Sequence, residues 1–100
     1  METFLIVYIS GRISGLDIKE VTESFKSCAM LIKVSGHIPI NPLNIKPLFG
    51  IKNYWCHMLA DIWELLWCDT VWLQPNWKES RGARIEHFIA KLISKNIYYQ

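Results

Sequence analysis

Glu86 and Asp61 are the two carboxylates of this chain whose neighbours suggest chemistry. Glu86 closes the segment SRGARIE (residues 80–86) within the longer stretch QPNWKESRGARIEHFIA (residues 74–90). An apolar, strand-like run at residues 69–73 leads into that stretch, and an amphipathic helix leads out of it. Pro75, Asn76 and Gly82 are turn formers, and Ser80 is of the right type to cap a helix. Glu86 then falls within the first two helical turns. Open α/β sheets gather ligands at such places, outside the carboxyl ends of their strands, and the free N–H groups of a helix start attract anions. On helical spacing Glu86 lies at the flank of a stripe formed by Ile85, Ile89 and Ile93. A carboxylate half against a core ionises less readily unless it is hydrogen-bonded. The same spacing also suits a rim glutamate paired with Arg84 or Lys91.

A second segment, Ser10-Gly11-Arg12-Ile13-Ser14-Gly15, follows the apolar run FLIVYI (residues 4–9). Small residues and exposed backbone donors allow such a loop to hold phosphate, and its arginine offers two parallel hydrogen bonds. A plain strand-to-helix turn has the same composition. His37, His57 and His87 share no metal-ligand spacing and read as surface or satisfied histidines. Cys56-His57 resembles a nucleophile pair, but sequence neighbours on a helix point apart. Neither a Walker motif nor GxGxxG occurs. Cys28, Cys56 and Cys68 contain no CxxC pair, which predicts buried free thiols and no zinc site.

These residues need a frame to position them. The run at residues 4–9 reads as a strand buried on both faces. Residues 17–35 have helical spacing at Ile18, Val21, Phe25, Cys28, Ala29 and Ile32, and Gly36 is suited to end that helix. Residues 37–40 form a second short strand, closed by Asn41-Pro42. The loop 42–53 carries Leu43, Ile45, Leu48, Phe49 and Ile51, too apolar for a solvated linker, and is expected to cover a pocket or a partner. Residues 54–67 form a helix with Trp55, Met58, Leu59, Ile62, Leu65 and Leu66 on its buried face, and Asp61 and Glu64 off it. A strand at residues 69–74, a helix at 80–94 burying Ile85, Phe88, Ile89, Leu92 and Ile93, and a strand at 96–99 complete the order β-α-β-α-β-α-β. The pattern predicts one domain (1–100), a three-layer, flavodoxin/Rossmann-like doubly wound α/β fold. Its parallel sheet has four or five strands in the order 2-1-3-4.

Composition narrows the function classes. The chain has 100 residues, 51% hydrophobic, which is enough for a single core. A net charge of +2 with scattered lysines argues against a nucleic-acid polymer as partner. The amino terminus lacks a basic n-region, and no apolar run approaches the ~20 residues of a membrane span. A soluble, cytoplasmic protein is expected. Five tryptophans exceed what so small a monomer readily covers, so a homodimer or higher homo-oligomer is expected, with the 54–67 helix at the contact.

Four segments in order, YISGRISG (8–15), INP (40–42), DIWELLWCDTVWLQPNW (61–77) and SRGARIE (80–86), resemble the small phage and bacterial domains related to nucleoside 2-deoxyribosyltransferases. They are also similar to 2'-deoxynucleoside 5'-monophosphate N-glycosidases. The resemblance covers nearly the whole chain. It implies that Glu86 is the nucleophile, that Asp61 assists as acid or positioning group, and that Tyr8 hydrogen-bonds the nucleophile. It further implies a substrate site drawn from Ser10, Gly11, Arg12, Ile13, Gly15, Asn41, Pro42, Trp77, Ser80, Gly82 and Ala83. The transferases usually carry aspartate where this chain has Ser80. The monophosphate hydrolases carry serine there, so Ser80 favours a phosphate-bearing ligand. Arg12 stands where a proline is common in near relatives.

The implied chemistry is cleavage of an N-glycosidic bond in a nucleoside or nucleotide substrate, without metal or organic cofactor. Positive charge develops on the sugar, a carboxylate stabilises or attacks it, and a second acid helps the base leave. Hydrolysis and base transfer are both compatible with these residues. The alternative is a non-catalytic protein that senses or sequesters a nucleotide. The expected location is the cytoplasm, the host's if the chain is phage-encoded.

Overall fold

The computed structural model describes residues 4–45, 50 and 53–100. Strand β1 (Ile6–Ser10) is followed by helix α1 (Ile18–Val34), strand β2 (Ile38–Ile40) and a 3-10 turn at Pro42–Asn44. Helix α2 (Tyr54–Trp67), strand β3 (Thr70–Leu73), a 3-10 turn at Trp77–Glu79, helix α3 (Arg81–Leu92) and strand β4 (Asn96–Tyr99) complete the chain. The sheet has four strands in the order β2-β1-β3-β4, all parallel. This is the Rossmann-like three-layer α/β architecture the sequence pattern calls for, with strand ends moved by a residue or two.

Alternation along β1 divides the core in two. Val7 and Ile9 pack with Val21, Phe25, Cys28 and Ile32 of α1 on one face of the sheet. Tyr8 packs on the other face with Leu65 of α2, Cys68, Val71 and Leu73 around β3, and Ala90 of α3. Burial of each such large side chain contributes about 1.5–3 kcal/mol before the cost of ordering it. The three cysteines are free, with Cys28 and Cys68 buried and Cys56 partly so.

Local chemistry fixes the ends of the elements. Asp17 caps α1, accepting from the backbone N–H of Lys19 at 2.8 Å and of Glu20 at 3.4 Å. Gly36, with φ +88°, then turns the chain in a region where L side chains are strained. Asp69 ties the start of β3 to β1: its N–H donates to the Ile6 carbonyl, and its Oδ2 accepts from the Ile6 N–H, both at 2.8 Å.

Two helices turn a different face inward than their large apolar residues suggest. On α3 the buried residues are Ala83, Glu86 and Ala90, whereas Phe88 is 66% and Leu92 71% exposed. On α2 Met58 and Leu65 are buried, Asp61 lies between them and is half-buried, and Trp55, Leu59 and Leu66 face outward. On α3, close approach to the sheet favours the small inward residues Ala83 and Ala90. The bulk of the apolar side chains on these two helices is on the outside.

Candidate active site

Glu86 is the most unusual residue of the interior. It sits in the second turn of α3, between Ala83 and Ala90, and is 5% exposed. Its Oε2 accepts a short hydrogen bond from the Tyr8 hydroxyl, and its Oε1 accepts one from the Ser10 hydroxyl at 2.8 Å. Neither Arg84 nor Lys91 pairs with it. Tyr8 and Ser10 both lie on the α2/α3 face of β1, so one strand supplies a donor to each carboxylate oxygen. Burial raises the Glu86 pKa from its usual range to about 7, while the Tyr8 and Ser10 hydrogen bonds oppose that rise. Burial beside this carboxylate raises the Tyr8 hydroxyl well above its ordinary value, so it remains a donor.

Asp61 reaches the same place from α2. Burial, the charge of Glu86 and the charge of Glu64 together raise its pKa to about 8. Both carboxylates line a cavity of about 360 Å³, a size suited to a small organic ligand. Gly11, Ile13 and Ser14 form the wall from the first loop. Pro42, Leu43 and Ile45 form a second, so the start of the 42–53 loop does cover a pocket; its residues 46–49, 51 and 52 lie outside the described ones. Tyr54, His57 and Met58 come from α2, and Ser80, Gly82 and Ala83 from the start of α3.

The start of α3 is built as expected: the Ser80 hydroxyl accepts from the Ala83 N–H at 3.1 Å. A Cβ on Gly82 would stand 3.8 Å from Met58 Sδ and 3.9 Å from the Tyr54 hydroxyl, in ordinary contact. Glycine there leaves cavity space rather than relieving a clash. Gly11 differs, because a Cβ would meet the buried Gln74 side chain at 2.9 Å.

Several expected site residues are placed elsewhere. Arg12 is outside the lining: its Nε donates to the Ser14 carbonyl at 3.1 Å, and its Nη1 lies 3.6 Å from Glu79 Oε2. Its backbone N–H donates to Asn76 Oδ1 at 3.1 Å. Gly15, with φ +81°, lies beneath that guanidinium. Asn41 caps the 3-10 turn by accepting from the Leu43 N–H at 3.0 Å. Trp77 stacks on His87 with ring centroids 4.2 Å apart. Ser10 serves Glu86 instead of the cavity.

The lining also includes residues that sequence reasoning passed over, His57 first among them. The signal was spacing: Tyr54, His57, Met58 and Asp61 share a helical face at intervals of three and four. Met58 reads as a core residue and Asp61 enters the site through the resemblance, so Tyr54 and His57 are the two of the four that the sequence leaves out. Among the described residues, no group of three or more His, Cys, Asp or Glu side chains is disposed to hold a metal ion, and no helix is long and apolar enough to cross a membrane.

No curated protein matches the chain. The family model described as a domain of unknown function, DUF4406, matches residues 5–99, from the start of β1 to the end of β4, and the chain belongs to that family.

Proposed function

We propose that the protein is an N-glycosidase acting on a deoxynucleoside 5'-monophosphate, with Glu86 as nucleophile and Asp61 as acid and base. The observation that carries this reading is the buried Glu86 carboxylate, held through both oxygens at a cavity that Asp61 also lines. In the first step Glu86 attacks the anomeric carbon and the glycosidic C–N bond breaks. The bonding electron pair goes to the base, and the base takes the proton of Asp61. In the second step the Asp61 carboxylate removes a proton from water, which attacks the same carbon and frees Glu86. A second base in place of water gives transfer. The two hydroxyl donors on Glu86 favour its ionised form, whereas the charges of Glu86 and Glu64 favour the protonated form of Asp61, which supports this division.

The test is release of free base from a panel of nucleosides and nucleoside monophosphates, followed by chromatography. Release that disappears in Glu86→Gln supports the assignment. Binding without release selects a nucleotide sensor or sequestering protein instead. That second reading gains weight from the hydroxyl donors on both Glu86 oxygens, which reduce its nucleophilicity.

The protein is further proposed to work as a homodimer. Trp55, Leu59, Trp63 and Trp67 repeat every four residues along the outer side of α2 and are each at least half exposed. Such an i+4 ridge packs into the groove of a second helix.

A further inference from the structure

The described lining of the cavity presents a charge problem to a phosphate-bearing ligand. Two of its walls carry carboxylates, Asp61 and Glu86, and neither lysine nor arginine is among its described lining residues. Arg12, the cation of the first loop, is engaged with Ser14 and Glu79 outside it. Arg81 stacks over the Tyr54 and Trp55 rings, at 5.8 and 6.0 Å from their centroids. His57 is the one described lining side chain able to carry a positive charge.

Its place on α2 matters as much as its type. Tyr54, one turn earlier, faces the start of α3, where its hydroxyl is 3.9 Å from the Cβ position of Gly82. Asp61, one turn later, faces the carboxylate end of the cavity. Residues three or four apart on a helix have Cβ atoms about 5–6 Å from each other. On the cavity face of α2, His57 therefore stands one turn from both Tyr54, which faces the start of α3, and Asp61. A dianion entering beside the Glu86 carboxylate gains most from a cation at that position, because charge attraction falls off with distance.

We propose that His57 selects the phosphate of the ligand, so that the protein prefers nucleoside 5'-monophosphates to the corresponding nucleosides. This rests on the reading of the cavity as a nucleotide site but not on catalysis. Preference is best measured by calorimetric binding of each deoxynucleoside, its 5'-monophosphate and inorganic phosphate. The measurement uses the Glu86→Gln protein, in which turnover through Glu86 is removed. Base release by the wild-type protein is assayed separately, so that failure of the glycosidase reading is seen there and not here.

The expected result is monophosphate binding at least tenfold tighter than nucleoside binding. Adding His57→Gln brings the ratio to within threefold by weakening the monophosphate alone. Adding His57→Lys keeps a ratio above threefold, and Arg12→Ala leaves it unchanged. Inorganic phosphate binding far weaker than either shows that the phosphate is read as part of a nucleotide. The proposal is overturned by a ratio that survives His57→Gln, by equal weakening of both ligands, or by the same loss in the glutamine and lysine variants. A Glu86→Gln protein with His57 intact that binds nucleosides as well as monophosphates, or binds neither, also overturns it. His57 is an exposed helix residue, so these substitutions do not threaten the fold.

Discussion

The Tyr8 hydroxyl donates to Glu86 Oε2 across 78 positions of sequence, joining the first strand of the sheet to its last helix. Both groups are almost fully buried, so the contact is shielded from bulk solvent. Tyr8→Phe leaves one oxygen of Glu86 without its donor, a loss that costs about 1–3 kcal/mol in a buried site. The Glu86 pKa is expected to rise further, because the hydrogen bond that opposes burial is gone. Thermal unfolding and the acid limb of the rate profile measure the two effects. Unchanged values in both mean that the contact carries no energy.

Glu86→Gln is expected to abolish base release while leaving the fold intact, since an amide of the same shape replaces the acid. Loss of an activated nucleophile typically removes on the order of a thousandfold or more in rate. Asp61→Asn is expected to slow the reaction less. Circular dichroism together with the base-release assay distinguishes the outcomes. A Glu86→Gln protein that releases base at the wild-type rate ends the nucleophile assignment.

The raised carboxylates make both activity and stability depend on pH. Activity needs Glu86 ionised and Asp61 protonated, so kcat/KM is expected to follow a bell whose two limbs belong to the pair and lie well above the ordinary carboxylate range. For stability the sign is opposite to that of an ordinary paired carboxylate. Between the unfolded values, 4.5 for Glu and 3.8 for Asp, and the raised folded ones, the native protein holds protons that the unfolded chain has released. Stability therefore falls as pH rises through that window. The Tm is expected to drop between pH 5 and pH 8.5, and Asp61→Asn to flatten the slope. A Tm that rises over that interval contradicts this.

Much of this fold was legible, and the site partly so. IVYIS and TVWL are dense in β-branched and aromatic residues, and parallel strands buried on both faces need that composition. Ser80 announced the start of α3, and Tyr8 and Glu86 meet as the resemblance implies. What misled was the assumption that the bulkiest stripe of a helix faces the core. Phe88 and Leu92 point outward, and the inner face of α3 is made of two alanines around Glu86. Placing Asp61 off the buried face of α2 was the same error, and it hid His57. Arg12 was unreadable for another reason: its partner Glu79 is far away in sequence, and no local pattern foretells that pair.

Gly82→Ala separates stability from binding. Alanine is favoured over glycine within a helix by up to about 1 kcal/mol, and its Cβ meets no atom closer than 3.8 Å. The variant is expected to be at least as stable as the wild type, yet to bind monophosphates less tightly because the methyl group takes cavity space. Unchanged affinity places the ligand away from the start of α3.

The outer ridge of α2 predicts a concentration-dependent mass. Light scattering at micromolar concentration is expected to give a dimer, and Trp63→Arg, at a position 60% exposed, to give a monomer with an unaltered circular dichroism spectrum. A wild-type monomer removes the proposal.

The alternation of β1 limits how this strand can be edited. Tyr8 and Ser10 face Glu86, while Val7 and Ile9 fill the α1 core. Inserting or deleting one residue inside Ile6–Ser10 exchanges the two sets, bringing hydroxyls into the hydrocarbon layer and alkyl groups against the carboxylate. Substitution alters one wall at a time, whereas a change of length corrupts both at once. Descendants of this gene that keep the tyrosine–glutamate pair are thus confined to a strand of fixed length. Insertions that reshape the cavity are admissible outside the strand, in the loop that follows Ser10 or in the one that follows β2.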